Sequence, residues 1–587
     1  MVKSRRTKIV ATVGPSSDSE QRLVELLAAG VDVFRLNLSH GGLESHRNRI
    51  SRIQAVRDRV GSTAAIMLDT RGPEVRLGTF PGGSIILNVG DHFRLYAKPR
   101  EGNRSGVSVN WPGLIAASDV GLTMLLDDGN LVMRIVDKTD DALELEVLVG
   151  GELKDRKKVS APGSVWPLPA LSDTDREILT MGAEMGMDYV AASFVRDQAD
   201  LNEVRKFLAE IHSDAWVISK IESPEAITNL EEIIRGSDGV MVARGDLGVE
   251  VPAEQVPDLQ KAIIRGANRQ GIPVITATQM LESMVHQPQS TRAEATDVAN
   301  AIWDGSDAVM LSAETASGQF PIEAVEVMAK LAAQADSHPE YLHRDHWEIG
   351  RVSEAVAKAS AEAAEGLGAD AILTVTQSGY TARMLSRSRT QVPIFALSSE
   401  MRVVRRMNLF WGVTPFQMPV AVDTDDMMAK AVDVALAEKA IEIGDLVVFT
   451  AGVPVGVPGT TNLMRIETIV DSALRGQGIA LSPAVRGRVV HIHDVISGSA
   501  PESPYVLVCH GSDSDSVEVI RRATAIVTES GGLTSPVAIL GLDFKIPTVV
   551  AVAGAETKLK SGQWVTVDAT RGLVYEDREG VLGHPQA

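Results

Sequence analysis

Lys220 and Glu222 close the apolar run 216–222, and Asp246 follows the run 239–243 across Arg244 and Gly245. Residues two apart on a strand share a face, so the ammonium and the carboxylate point the same way. A cation beside a carboxylate, with a second carboxylate one strand further on, suits a hard divalent metal next to a phosphoryl group in transfer. A buried structural ion pair would use the same residue types. The polar residues at the ends of the neighbouring runs favour the chemistry.

Those runs set the frame. Short β-branched stretches at 8–13, 31–37, 64–69, 188–193, 216–222, 239–243, 272–277 and 306–312 are nearly continuous in hydrophobicity, as strands buried on both faces are. Helix-like segments lie between most of them (19–29, 44–59, 173–185, 199–211, 224–234, 254–270, 291–302), and another at 321–333 follows the last. Several open on Ser, Thr or Asp and stop at Gly. The pattern predicts an α/β chain with a closed (β/α)8 TIM barrel, whose active site lies at the strand C-termini. There the sequence places Arg35, Asn37 and Ser39, then Asp69 and Thr70, Lys220 and Glu222, Gly245 and Asp246, Thr276 and Thr278, and Ser312 and Glu314. A satisfied core hydroxyl is the plainer reading of Thr276 alone.

Nearly a hundred residues follow the third run and read as strands with Gly- and Pro-bearing turns. We expect a small inserted β-barrel domain at 71–163, hinged at Gly72-Pro73 and Pro162-Gly163 and acting as a lid. The barrel then comprises 1–70 and 164–345. From 346 to 475 an open α/β unit is expected, with strands at 371–376, 394–397 and 446–450, and a further domain occupies 480–587.

The bulk numbers bound the function. A chain of 587 residues needs several cores. Its 57 Lys and Arg against 77 Asp and Glu leave a net charge of −20, which argues against nucleic acid or an anionic membrane as partner. A single cysteine, Cys509, excludes an internal disulfide and fits a reducing compartment. The basic N-terminal stretch has too short an apolar run for a signal peptide, and no segment approaches the ~18–20 apolar residues of a membrane span. A soluble cytoplasmic protein is expected.

Several long motifs carry a resemblance. Thr7-Lys8-Ile9-Val10-Ala11-Thr12-Val13-Gly14-Pro15, Phe34-Arg35-Leu36-Asn37-Leu38-Ser39-His40-Gly41, Asp69-Thr70-Arg71-Gly72-Pro73-Glu74, Ile218-Ser219-Lys220-Ile221-Glu222, Ala243-Arg244-Gly245-Asp246-Leu247-Gly248 and Ala277-Thr278-Gln279-Met280 closely resemble pyruvate kinase, in order over residues 1 to 475. The resemblance implies phosphoryl transfer from phosphoenolpyruvate to ADP, with ATP and pyruvate as products. It implies Mg²⁺ or Mn²⁺ on Glu222 and Asp246, substrate contacts from Arg35, Lys220, Gly245, Asp246 and Thr278, and catalysis by Lys220, Arg35, Thr278 and Ser312. It implies K⁺ on Asn37, Ser39, Asp69 and the Thr70 carbonyl, with Glu74 marking K⁺ dependence. Nucleotide contacts fall to Arg76 and His40. Asp127 and Asp128 either approach the nucleotide metal or form a plain Asp-Asp-Gly hairpin turn. The family's homotetramer and cytoplasmic setting come with it.

The loop Thr376-Gln377-Ser378-Gly379-Tyr380-Thr381 combines hydroxyls, a glycine and a helix start, which can make a phosphate nest. It resembles the loop that holds a phosphorylated effector, with Thr376, Ser378, Gly379 and Thr381 as its contacts and Gly452, Pro454 and Gly456 in a neighbouring loop. An ordinary capped turn is the alternative. Beyond 480, Thr528-Glu529-Ser530-Gly531-Gly532-Leu533-Thr534-Ser535-Pro536 resembles the swivelling domain of phosphoenolpyruvate-utilising enzymes. Pro536 stands where that family carries its phosphorylated histidine, and has no nucleophile. The domain is therefore expected to be inert in phosphotransfer, with His510 in a strand-end turn. A dikinase or synthase relative is disfavoured by Pro536, a metal-dependent aldolase by the lid and Arg76, and an inactive effector-binding protein by the filled catalytic positions.

Overall fold

The computed structural model describes residues 5–162, 164, 166–343, 347–453, 461–469, 474–479, 484–496, 504–511, 517–570 and 572–576. Gly163, Pro454 and Gly456 lie outside them. Two compact units divide the chain, one of residues 1–440 with 448–465, the other of 441–447 with 466–587.

The first unit is built on eight strands: β1 (Lys8–Thr12), β2 (Val33–Asn37), β3 (Ala65–Asp69), β4 (Tyr189–Ala192), β5 (Trp216–Ile221), β6 (Gly239–Ala243), β7 (Val274–Ala277) and β8 (Ala308–Leu311). They close into a barrel in sequence order, and every pairing is parallel. Strand alternation explains the continuous hydrophobicity. Ile9 and Ala11 pack outward under the helices, whereas Val10, Val33, Met67, Tyr189, Ile218 and Met241 fill the barrel axis. Burial of both faces removes the polar half of each strand.

The helices start where their caps say. Ser172 and Thr291 form full capping boxes with Asp175 and Glu294, and Asp197 and Ser223 cap by side chain. Gly30 and Gly271 end their helices with φ of 119° and 70°. Such left-handed caps favour glycine.

Between β3 and β4 stands a mainly β insertion with one short helix, Leu114–Ala117. Strands Val75–Arg76, Lys158–Ser160, Thr123–Leu126, Leu131–Lys138, Ala142–Val149, His92–Tyr96 and Gly106–Ser108 make one sheet in that order, and Ser84–Leu87 pairs with Gly151–Lys154. It has its own core, around Phe93, Leu95, Met133, Leu143 and Leu145. The chain enters through Gly72, whose φ is +71° and where a Cβ would meet Ser193 Cβ at 2.9 Å, so a side chain there would collide as well as strain.

The α/β region carries a five-stranded sheet ordered Val413–Gln417, Ile394–Ser398, Ala371–Val375, Leu446–Gly452, Thr461–Thr468. The outer strands Val413–Gln417 and Thr461–Thr468 went unread in the sequence, since Pro415 interrupts one and the other is mostly polar. The second unit centres on an eight-stranded sheet whose parallel part joins Val485–His491, Tyr505–Cys509, Ala525–Thr528 and Thr548–Val550. Cys509 is buried there. Among the described residues no helix is long and apolar enough to cross a membrane.

Candidate active site

Axis-facing positions continue past the strand ends as polar residues. Val33 is followed two residues on by Arg35 and then Asn37, Met67 by Asp69, Ala191 by Ser193, and Ile218 by Lys220 and Glu222. The same alternation that fills the barrel with apolar side chains therefore delivers charge to its rim.

The charges are cross-bonded. Lys220 Nζ lies 3.2 Å from Asp69 Oδ1 and 2.9 Å from Glu222 Oε1, and donates to Ser193 Oγ at 2.7 Å. Arg35 Nε donates to the other Asp69 oxygen at 2.6 Å, and its Nη1 to Thr12 Oγ1 at 2.9 Å. Ser193 Oγ also reaches the Thr70 carbonyl at 2.8 Å. Asp246 accepts Lys158 Nζ at 2.9 Å, a lysine of the insertion that also stands over the Phe194 ring at 4.3 Å.

Charge and burial compete here. Burial alone would push the Asp69 carboxyl up, yet Arg35 and Lys220 hold it below the usual carboxylate range. The Lys220 ammonium is strengthened against burial by Asp69, Glu222 and Asp246. Burial raises Glu222 to about 7, with Asp246 adding to the rise. Asp246, about a third exposed, is pushed up by partial desolvation but held low overall by Lys158 and Lys220.

Glu222 is fully buried, its Oε2 takes the Phe194 N–H at 2.7 Å, and its Oε1 faces the Lys220 ammonium, at 2.9 Å. A buried carboxylate next to a second carboxylate is a donor set that fits a hard divalent ion. Asn37 and Asp69 are register partners on adjacent strands, so Asn37, Ser39, Asp69 and the Thr70 carbonyl crowd one sector of the rim. These oxygens suit a monovalent ion.

Gly245 N–H donates to Thr278 Oγ1 at 2.8 Å, and Thr278 Oγ1 donates to the Ala277 carbonyl at 2.6 Å. Thr278 lies beyond β7 with φ of 68°, a strained value for a β-branched residue. Arg244 Nη2 donates to the Thr278 carbonyl at 2.7 Å and helps hold that turn. The Ser312 hydroxyl is buried without a partner, while Glu314 accepts the Ser312 N–H at 2.7 Å and the Leu281 N–H at 3.1 Å. Glu314 is thus a tie between the loops after β7 and β8. Thr276 is a core hydroxyl, 2.7 Å from Ser306 Oγ and fully buried.

Arg76 and Glu74 pair at 2.6 Å in the insertion, and His40 is exposed on the loop after β2. Asp127 and Asp128 both have φ of 53° in the turn joining two antiparallel strands, and Asp127 pairs with Lys157 at 2.6 Å. The hairpin turn accounts for them. In the α/β region Thr376 Oγ1 accepts the Gly379 N–H at 3.0 Å, Gly379 has φ of +82°, Ser378 is exposed, and the buried Thr381 hydroxyl bonds to Thr461 Oγ1.

Two members were missed in the sequence. Ser193 was legible, because it continues the axis-facing series Tyr189, Ala191. Lys158 was not, because it sits on a short strand of the insertion and meets Asp246 only in three dimensions.

The family model described as "Pyruvate kinase, barrel domain" matches residues 4–325, and "Pyruvate kinase, alpha/beta domain" matches 354–467. "PEP-utilising enzyme, mobile domain" matches 501–572. A pyruvate kinase of Geobacillus stearothermophilus is 44% identical over 98% of this chain and its own full length. Pyruvate kinases of Bacillus licheniformis and Staphylococcus saprophyticus are each 42% identical over the same shares. These relatives align through the C-terminal unit as well, so the appendage is shared with them. On the barrel match and this end-to-end identity, the chain belongs to the pyruvate kinase family.

Proposed function

We propose that this chain transfers the phosphoryl group of phosphoenolpyruvate to ADP, giving ATP and pyruvate, a glycolytic step. The observation that carries the reading is the Lys220 ammonium buried among Asp69, Glu222 and Ser193 at the barrel mouth. Phosphoryl transfer asks a protein chiefly for positioning and for positive charge where negative charge develops. Lys220 and Arg35 supply fixed positive charge at the rim. Asp69 and Ser193 hold the ammonium in place, so little reorganisation is needed as the phosphoryl moves.

A Mg²⁺ or Mn²⁺ ion held by Glu222 and Asp246 supplies charge neutralisation for substrate oxygens. The Gly245 N–H, with no side chain of its own in the way, exchanges Thr278 Oγ1 for the substrate carboxylate. The P–O bond to phosphoenolpyruvate breaks as one forms to the terminal ADP oxygen. The enolate left behind takes a proton at its methylene carbon from solvent through the Thr278 hydroxyl, with Ser312 behind it. Lys158 exchanges its bond to Asp246 as the inserted domain moves. Arg76 and His40 meet the nucleotide.

K⁺ on Asn37, Ser39, Asp69 and Thr70 completes the charge set. In the α/β region the Thr376 to Thr381 loop takes the phosphate of an effector, a homotetramer is the assembly, and the cytoplasm is the setting. The deciding experiment is ADP-dependent pyruvate release coupled to a dehydrogenase. Pyruvate should appear with ADP, phosphoenolpyruvate, Mg²⁺ and K⁺, and vanish with a divalent chelator. No pyruvate under the complete conditions would overturn the proposal.

A further inference from the structure

The strand ends of the C-terminal unit carry chemistry that phosphoryl transfer does not use. His510 follows Tyr505–Cys509, Glu529 follows Ala525–Thr528, and Glu556 lies in the short helix Ala555–Lys558. One ligating atom from each lies within 4.8 Å of the other two, with His510 Nδ1 3.6 Å from Glu556 Oε2.

The three segments are locked before any ion arrives. Glu529 N–H donates to the Cys509 carbonyl at 3.0 Å, and Ser530 N–H to the His510 carbonyl at 2.8 Å. Ser530 Oγ adds a second bond to that carbonyl at 2.5 Å. The Glu556 N–H donates to Glu529 Oε2 at 2.8 Å, which aims one carboxylate from behind, as a supporting shell does for a ligand.

Among the described residues, the only basic side chain ion-paired to either glutamate is His510 itself. Two carboxylates thus converge without a lysine or arginine between them, and like charges in that arrangement repel. A cation would convert the repulsion into binding. The imidazole decides which cation, since it suits zinc and its neighbours and not Mg²⁺ or Ca²⁺.

Reach is adequate. Donors about 2.0–2.2 Å from one tetrahedral ion lie roughly 3.3–3.6 Å apart, so the imidazole and Glu556 already fit, and a pair at the 4.8 Å limit closes by about 1.2–1.5 Å through side-chain rotation. The His510 side chain is 70% exposed, which leaves it free to move and leaves the ion's outer positions open to water. Pro536, at the start of helix Pro536–Asp543 behind the Ser535 cap, brings no competing ligand.

We propose that His510, Glu529 and Glu556 bind one divalent transition-metal ion, Zn²⁺ foremost, at the strand ends of the C-terminal unit. This site is independent of the barrel chemistry, and its failure would leave that chemistry untouched.

The test uses the full chain stripped by chelator and dialysed against Zn²⁺ with excess Mg²⁺ to occupy the barrel's oxygen donors. The parent should retain one Zn²⁺ more per chain than His510→Ala or Glu556→Gln. Affinity at that site should fall by more than the ~10–100-fold typical of outer-shell changes. Co²⁺ should give the intense visible bands of four- or five-coordination in the parent and not in the variants. Both variants should keep Mg²⁺-supported turnover within about twofold, which reports an intact fold. Equal Zn²⁺ retention by parent and variants, or only weak octahedral Co²⁺ absorption in the parent, would overturn the site.

Discussion

The barrel mouth and the strand ends of the C-terminal unit both place polar residues just past parallel strands, yet they differ in what surrounds them. At the barrel mouth Lys220, Asp69, Glu222 and Arg35 are buried, Asp246 is about a third exposed, and each charge is held by at least one partner: Lys220 by three groups, Asp69 by two cations, Asp246 by a lysine from the inserted domain. In the C-terminal unit His510 is largely exposed, and the position that would carry a nucleophile is Pro536. Burial with compensation fixes geometry and magnifies charge, as transfer of a phosphoryl group requires. Exposure without a nucleophile leaves ion binding.

The contrast can be broken at several strengths. Exchanging K⁺ for a large organic cation should cost on the order of 100-fold in activity, since a missing unit charge at ~5–6 Å and effective dielectric ~20 is worth about 3 kcal/mol. Steady-state assays in a bulky ammonium salt check this, and unchanged rates would remove K⁺ from the rim. Lys158→Met should lower kcat/KM by about 10- to 150-fold, the worth of one charge-assisted hydrogen bond at ~1.5–3 kcal/mol. The loss should exceed that of Lys157→Met, whose partner Asp127 lies in the hairpin turn. Equal effects would show that the contact with Asp246 is incidental.

The smallest effect concerns stability. His46, on the helix after β2, is fully buried with neither ring nitrogen hydrogen-bonded, and burial lowers its pKa to about 4, helped by Arg49 and Arg71. The unfolded imidazole titrates near 6.5. Between these values the unfolded chain holds the extra proton, so stability rises with pH across the window. It is fully present above about pH 6.5 and lost as pH falls through about 4, by up to roughly 3 kcal/mol. Thermal melts from pH 4.5 to 7 should show a shallower slope in His46→Gln than in the parent. Parallel slopes would contradict it.

Much of this was legible in the sequence for one reason. In a strand buried on both faces charged residues are tolerated only near the ends, so Arg35, Asp69, Lys220 and Glu222 stood out against apolar runs. Ser193 followed the same rule and could have been read with them. Lys158 could not, because no local pattern encodes a contact between a strand of the insertion and a barrel loop. The Thr376 to Thr381 loop read as a phosphate nest, with an ordinary capped turn as the alternative. The sequence did not tell that Thr376 and Thr381 already spend their hydroxyls on Gly379 and Thr461, which leaves Ser378 as the exposed one. Thr276 and Thr278 looked equivalent by spacing, but β7 ends between them, and only Thr278 turns to Gly245.

Under the proposed reaction the Lys220 ammonium stabilises the negative charge of the phosphoryl in flight to ADP. The most direct measurement is kcat for Lys220→Met and Lys220→Gln at saturating phosphoenolpyruvate, ADP, Mg²⁺ and K⁺, with a melting curve to confirm each fold. The predicted result is a loss of at least about 10³-fold, the ~4 kcal/mol typical of one buried transition-state charge contact. Folded variants that turn over within tenfold of the parent would contradict it.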